Sequence, residues 1–480
     1  MTAVLDPDGL TRPGGWATTT PSRPRALRPH RLLVPSWWRD AVGSLTWASM
    51  LVVVALWVMN GGVQELGTVG EGLTSLGRLI GLISADLLLI QVLLMARIPV
   101  VERAYGQDEL AIRHRWVGFA SVTTMLIHIA ALILGYSITD DVNILRQTWE
   151  FVVDYPGMLL ATAATVLLLL VAGTSIKRAR ATLRYESWHL LHLYAYLGVG
   201  LSIPHELWTG ADFTHSPIAR IYWWSLYIAA LGAILIWRVG VPLWRTYSHR
   251  MRVERVVPEG PGVVSVVVRG RRLDRLAGAG QFLTWRFRDR GGWTRGNPYS
   301  LSAVPTRDRV RITVKALGDN SASLARLRPG TRVIVEGPYG RLHGGVRTRR
   351  KVTLIGSGIG ITPLRALLED FEQQPGEITL IYRASTEDDL VLRAELDALA
   401  AHTGARVYYV IGHRIRTRSS WLPESAAHLS DAEALAQLVP DIALNDIYLC
   451  GAQEWMDAAA AAARTCGVPA ERIHSERFSW

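Results

Sequence analysis

Cysteine is nearly absent. Cys450 and Cys466 are the only two in 480 residues, which excludes a disulfide framework and a paired-cysteine zinc site. No C-x-x-C-H occurs, so any haem is held without a covalent thioether link. An apolar core close to the start is also missing, and with it the expectation of a cleaved signal peptide. The formal charge of +11 is not gathered into one aromatic-interleaved basic patch, so nucleic-acid binding is not expected. Several arginines sit instead in short loops between apolar segments, the positive-inside pattern of a membrane protein.

What is present is an apolar first half. Residues 1–40, rich in Pro, Arg and Thr, read as a disordered cytoplasmic tail. Apolar segments follow at 43–60, 73–97, 115–136, 157–176, 186–204 and 218–240, each close to the ~20 residues that cross a bilayer. Arg23, Arg25, Arg28, Arg31 and Arg39 precede the first. Arg97, Arg103, Arg113 and Arg115 flank the second loop, and Lys177, Arg178, Arg180 and Arg184 fill the fourth. The intervening loops are acidic, so both termini are expected in the cytoplasm of an integral, multi-pass plasma-membrane protein.

Two of these segments carry paired histidines. His114 and His128 are fourteen apart, which puts both imidazoles on one helical face, about 21 Å apart along the axis. His192 and His205 are thirteen apart, and an ideal helix leaves them roughly 140° out of phase. Pro204 just before His205 can bend or unwind that turn. Two histidines on each of two facing helices suit axial ligation of two stacked b haems. A single buried histidine is often a helix–helix hydrogen bond; two spaced pairs are hard to explain as packing. His189 shares a face with His192 and is a rival ligand. Arg78, a turn inside the outer end of the second span, is either a haem-propionate partner or a snorkelling arginine.

After Trp244 the composition changes. Short alternating runs over 248–343 predict an antiparallel β-barrel. Within it, Asn297, Pro298, Tyr299 and Ser300 open N-P-Y-S-L-S, where Tyr299 can stack on a flavin and Ser300 can bond it. Lys315, Gly318 and Ser321 offer a pyrophosphate cradle. Either stretch alone could be an ordinary strand end.

Residues 344–480 read as an α/β Rossmann-like domain. It opens with a strand, a Gly-rich turn (Gly356, Gly358, Gly360) and a helix whose Thr362 and Pro363 suit a phosphate at its N-terminus. The next strand ends in Arg383 and Ser385 rather than an acid, which favours NADPH over NADH. Arg414 and Arg416 either join that site or are solvated charges. Cys450 and Gly451 end the last long strand, beside a nicotinamide or as plain core. Trp480, at the chain end, is free to cover a flavin.

Taken in order, the histidine pairs, G-Q-F at 280–282, N-P-Y-S-L-S, V-K-A-L-G-D, G-P-Y-G at 337–340, G-S-G-I-G-I-T-P, L-C-G and the terminal aromatic resemble the ferric reductase and NADPH oxidase superfamily of transmembrane flavocytochromes b. The resemblance implies a six-helix haem-binding domain over 41–247, an FAD-binding barrel and an NADPH-binding domain. It implies that His114, His128, His192 and His205 ligate two b haems, that Tyr299 and Ser300 hold FAD, that Gly356 to Pro363 bind NADPH, and that Cys450 lies near the nicotinamide. Hydride transfer from NADPH to FAD would displace Trp480. Electrons would leave by the outer haem to O2, to a ferric chelate or, in an alternative role, to an extracytoplasmic protein partner. The family usually has His or Arg at Asn297, for which Arg286 or Arg295 are substitutes, and Pro at Ala452. No calcium-binding loops precede the first span.

Overall fold

The computed structural model describes residues 37–476 apart from 177–178, 180–181, 183–184, 215, 290–295 and 341. The tail, Trp480, Arg295 and the Lys177, Arg178, Arg180 and Arg184 loop charges lie outside the described residues. The chain divides into two units between Val241 and Pro242.

The first unit is helical: α1 Trp37–Met59, α2 Val69–Met95, α3 Pro99–Tyr105, α4 Gln107–Thr139, α5 Ile144–Asp154, α6 Met158–Ser175, α7 Tyr185–Trp208 and α8 Pro217–Ala233. A π-helical turn, Ile234–Gly240, carries α8 on into α9, Val241–His249. Pro242, which has no N–H to give a regular ladder, lies just past that turn. Among the described residues five helices are long and apolar enough to span a bilayer: α1, α2, α4, α6 and the continuous Pro217–His249. The sixth expected span, α7, has the length at 24 residues. Three histidines, Glu206 and Pro204 dilute its apolar character. Nor does Pro204 end it, because the helix continues to Trp208.

Small residues decide how α2 meets α4. Gly70, Gly77, Ser84 and Gln91 recur every seven positions along α2, a seam of the kind that lets membrane helices approach closely. A methyl on Gly70 would fall 2.4 Å from the Thr139 hydroxyl, and one on Gly77 3.0 Å from Ala131. Ser84 donates to the Ser121 carbonyl at 2.9 Å. Thr68 and Glu71 close the α2 N-terminus with a capping box.

The second unit begins with two three-stranded antiparallel sheets, in orders β1-β2-β5 and β4-β3-β6. Their strands are β1 Arg252–Gly260, β2 Val263–Arg269, β3 Phe282–Phe287, β4 Asn297–Ser300, β5 Arg309–Lys315 and β6 Val333–Tyr339. The two sheets are joined at both edges: Arg252 bridges Arg332, with Val333 N–H donating to the Met251 carbonyl at 3.0 Å, and Leu301 bridges Ile312, with Ser302 N–H donating to the Arg311 carbonyl at 2.9 Å. The six strands enclose one core that includes Val266, Leu283, Trp285 and Ile312.

A parallel sheet in the order β11-β10-β7-β8-β9 follows, formed by β7 Val352–Ser357, β8 Ile378–Ala384, β9 Arg406–Ile411, β10 Asp446–Cys450 and β11 Ile473–Ser475. Every residue of the interior strand β8 is buried, as expected where helices cover both faces. One face packs α10 (Ile361–Asp370) and α11 (Arg393–Thr403); the other packs α12 (Asp431–Leu438) and α13 (Gln453–Thr465). The order reverses between β7 and β10. In such sheets the crevice at the carboxyl ends of the two strands flanking the reversal is where ligands bind.

Candidate functional site

In the helical unit the histidines meet two by two. His192 on α7 faces His114 on α4, with ring centroids 5.9 Å apart at an interplanar angle of 64°. His205 stands close enough to His128 for the two to interact electrostatically. The rival His189 is exposed.

Each imidazole is held at Nδ1. His114 bonds the Gln91 carbonyl at 3.2 Å, His128 the Gly77 carbonyl at 2.8 Å and His205 the Ser202 carbonyl at 2.9 Å. A carbonyl can only accept, so these three Nδ1 atoms carry the proton and Nε2 keeps a lone pair. His192 Nδ1 lies 3.3 Å from the Ser175 hydroxyl. Orientation of a ring through one nitrogen, leaving the other for a metal, is the usual outer-shell arrangement of a histidine ligand. Part-buried imidazoles in opposed pairs, tautomers fixed, fit axial ligation of haem.

The sequence reading missed these holding groups. Gln91 and Gly77 lie on the α2 seam, and the seven-residue recurrence is the signal that would have found them. Gly81 belongs to the same contact: a methyl there would sit 2.4 Å from His128 Nδ1. A methyl on Gly157 would fall 2.9 Å from the His205 Cα. Arg78 pairs with Glu65 and lies 3.9 Å from Asp212.

In the second unit, Asn297 to Ser300 form β4 and pair with Trp285 to Phe282 of β3. Tyr299 is part-buried, and that burial pushes its hydroxyl up to about 12. Ser300 is buried, and its Oγ has no hydrogen-bond partner among the described residues. An orphaned hydroxyl at this point fits a flavin acceptor. Arg286 is paired with Glu336. Lys315 reaches Asp389 at 3.2 Å. Ser321 accepts the backbone N–H groups of Leu317 and Gly318 at 2.9 and 3.1 Å, so its hydroxyl shapes the turn.

The Gly-rich turn and the 450–451 corner occupy the crevice between β7 and β10. A methyl on Gly360 would fall 2.3 Å from the Cys450 carbonyl oxygen, and one on Gly451 3.0 Å from Ser357 Cβ. Gly358 has φ +53°, where glycine is at ease. The helix starts at Ile361, which places Pro363 third in its first turn rather than first; the N–H it lacks is still one that needs no helical partner. Thr362 donates to the Ile359 carbonyl at 3.0 Å. Cys450 is buried, and burial pushes its thiol well above the usual range, with the Glu476 charge adding to it. That holds a neutral thiol, not a thiolate. Glu476, a residue overlooked in favour of Trp480, lies against Gly340, where a methyl would be 2.5 Å from its carboxylate.

The basic residues expected to select a 2′-phosphate are placed differently. Arg383 is buried and bonds the carbonyls of Ala384 and Val410. Its desolvation lowers the guanidinium to about 10. Ser385 is exposed beyond it, and Arg414 pairs with Glu454 at 2.9 Å on the surface.

A buried charge network joins the two sheets' end of the unit to the parallel-sheet domain. Arg311, on β5, grips Glu395 through both nitrogens at 2.7 and 2.8 Å and also bonds the Ser302 carbonyl and hydroxyl. Arg365 adds an ion pair, its Nε 2.8 Å from a Glu395 carboxylate oxygen. Burial alone would raise the Glu395 carboxyl; the Arg311 bonds and the two guanidinium charges outweigh it and hold it below the usual range. Ser302 ends N-P-Y-S-L-S and Arg365 lies on the helix after the Gly-rich turn, so the network ties one half-site to the other.

Residues 80–203 match the family model of the ferric reductase like transmembrane component. Residues 354–461 match that of the oxidoreductase NAD-binding domain. The chain is similar to the ferredoxin reductase component of a 3-ketosteroid-9-alpha-monooxygenase from Rhodococcus rhodochrous, 31% identical over 242 residues, 48% of this chain and 64% of that protein. It is also similar to a flavohemoprotein of Bacillus subtilis (strain 168), 28% identical over 207 residues, 42% of this chain and 51% of that protein. Among solved structures, the FAD/NAD binding domain of a nitric oxide dioxygenase from Vibrio cholerae O1 biovar El Tor aligns over 48% of this chain and 98% of its own, at 23% identity and a TM-score of 0.38.

Proposed function

We propose, from the matches of residues 80–203 to the ferric reductase like transmembrane component and of residues 354–461 to the oxidoreductase NAD-binding domain, a transmembrane oxidoreductase that moves electrons from cytoplasmic NADPH through FAD and two b haems to an external acceptor. When bound, the flavin supplies the change from hydride to single electrons and the haems supply a one-electron relay across the bilayer.

The observation that supports this reading most is the anchoring of four imidazoles at Nδ1, two facing two, in an apolar helical unit. His114 and His192 hold one haem, and His128 and His205 the other. The carbonyls of Gln91, Gly77 and Ser202 keep those rings from turning. Tyr299 covers the flavin ring and Ser300 Oγ bonds it, with Lys315 and the Gly318 turn toward its pyrophosphate. Gly356, Gly358 and Gly360 admit the NADPH pyrophosphate at the start of α10, and the Cys450–Gly451 corner borders the nicotinamide. Trp480, outside the described residues, would cover the flavin ring and give way to NADPH in this reading. This reading makes α7 a sixth span and puts both termini in the cytoplasm.

The test is an anaerobic spectrum of the purified protein in detergent, before and after NADPH, then with air or a ferric chelate. Two reduced b-type haems per flavin that reoxidise in air identify an oxidase. Bands that persist in air and vanish with ferric chelate identify a ferric reductase. Bands stable to both, but lost on adding a membrane or secreted fraction, identify a protein acceptor. No haem bands would overturn the proposal.

A further inference from the structure

The helix Pro217–His249 is longer than a bilayer requires. Its 33 residues reach roughly 50 Å at 1.5 Å each, against a hydrocarbon core of about 30 Å. Its last dozen or so residues therefore stand at or beyond the edge of the apolar layer. They carry Trp244 and Tyr247, 65% and 76% exposed, ring types that favour the headgroup level. From Arg238 to Arg275 the chain holds nine arginines against Glu254, Glu259 and Asp274. Glu254 is already taken by Arg309 and Arg255.

That helix end and the turn before Leu276 enclose a cavity of about 270 Å³, lined by Trp244, Arg245, Ser248, Arg272 and Arg275 among others. Arg272 and Arg275 are exposed, and among the described residues no carboxylate lies within ion-pair distance of either. We propose that this cavity binds the phosphate of an anionic phospholipid headgroup. Guanidinium forks match phosphate oxygens, the Ser248 hydroxyl adds a donor, and the Trp244 ring offers an apolar wall. One effect opposes an anion here: a helix C-terminus carries roughly half a negative charge. The full positive charges of Arg272 and Arg275 outweigh it. The lipid is the source of phosphate because the cavity continues a membrane helix and is flanked by interfacial aromatics. The inference rests on the membrane reading alone and is independent of the electron-transfer reading.

The experiment places the full-length protein in nanodiscs of phosphatidylcholine with a minor share of phosphatidylglycerol, then quantifies the lipids that stay with it after transfer to detergent. Wild type is expected to enrich phosphatidylglycerol above its bulk share. Arg272→Gln and Arg275→Gln should each cut the enrichment about five-fold, the equivalent of about 1 kcal/mol per arginine near a charged surface. Arg275→Lys, which keeps the charge but loses the fork, should retain most of it and guards against a folding defect. No enrichment in wild type, or equal enrichment in the double glutamine variant, overturns the proposal. Displacement by millimolar inorganic phosphate as effective as that by phosphatidylglycerol would overturn the lipid assignment in favour of a free-anion site.

Discussion

The helical unit and the reductase unit both build their sites on close approach of backbone, but they use the backbone in opposite senses. Between α2 and α4, small residues at seven-residue intervals bring carbonyls within reach of histidine side chains, and those carbonyls orient His114 and His128. At the β7–β10 crevice, glycines bring main chain against main chain: a methyl on Gly360 would meet the Cys450 carbonyl. A membrane interior offers few polar atoms, so each one that orients a ligand is itself main chain or a short hydroxyl. The second unit is under no such restriction, and a Gly-rich turn there can meet a phosphate with main chain alone. Substitutions at equivalent contacts should therefore fail in different currencies: haem content in one unit, nucleotide affinity in the other.

The largest expected effect breaks the helical unit alone. His128→Leu or His192→Leu should abolish haem incorporation at one level and with it transmembrane transfer, while NADPH-driven reduction of a soluble dye continues. Pyridine haemochrome content and dye assays on the same preparation separate the two. Full transmembrane activity in either variant would sink the haem assignment.

A pair of glycine substitutions sharpens the contrast. Gly81→Ala pushes a methyl to 2.4 Å from His128 Nδ1, so the ring must leave the Gly77 carbonyl. Loss of such an outer-shell bond is expected to cost on the order of ten-fold or more in haem affinity, with dye reduction unchanged. Gly72→Ala, where nothing lies within 4 Å, is the silent control on the same helix. Gly360→Ala meets the Cys450 carbonyl at 2.3 Å, a backbone atom that cannot swing away. Flavin reduction by NADPH should fall by about 100-fold, as misplacement by about 1 Å can cost, while haem content stays whole.

Much of this contrast was legible in the sequence, and for a physical reason. Histidine is costly in an apolar span, so its spacing announces a site, and Gly-rich turns between strand and helix announce a phosphate. What escaped was whatever depends on tertiary partners. The Gln91 and Ser175 contacts come from residues that look like ordinary span polarity. Arg383 ended the right strand, but its guanidinium turns back onto the carbonyls of β8 and β9. Ser321 looked like a phosphate donor and caps a turn instead. Histidines and Glu206 leave α7 less apolar than its neighbours, the same residues that made it interesting.

The charge network tests how the two halves of the reductase unit hold together. Arg311 is only 4% exposed, and Glu395→Gln leaves it without a charge partner. Breaking a buried pair in this way costs about 3 kcal/mol, read as a lower melting temperature. Flavin reduction should slow with little change in NADPH KM. The pH sign follows from the depressed Glu395 carboxyl. Its contribution is present above the ordinary glutamate range, about 4.3, and is lost as pH falls through the lower folded value. The acid limb of wild-type stability should therefore be steeper than that of Glu395→Gln.

The smallest effect is the most discriminating for the flavin half-site. Lys315 and Asp389 are each more than a third exposed, and such a pair contributes about 0.5 kcal/mol or less. Asp389 is held below the usual carboxylate range by the Thr386 hydroxyl first and by Lys315 next. If Lys315 serves only that pair, Lys315→Gln and Asp389→Asn should look alike, with FAD affinity untouched. If it also reaches the FAD pyrophosphate, Lys315→Gln loses a charge-assisted bond of about 1.5 kcal/mol, roughly ten-fold in FAD Kd. Asp389→Asn would then leave FAD binding as it was or tighten it, because the ammonium gives up its competitor. The second outcome is the expected one, and FAD titration of the two deflavinated variants decides it. Equal FAD affinity in both would leave Lys315 a surface charge and move the pyrophosphate cradle to backbone amides of the Gly318 turn.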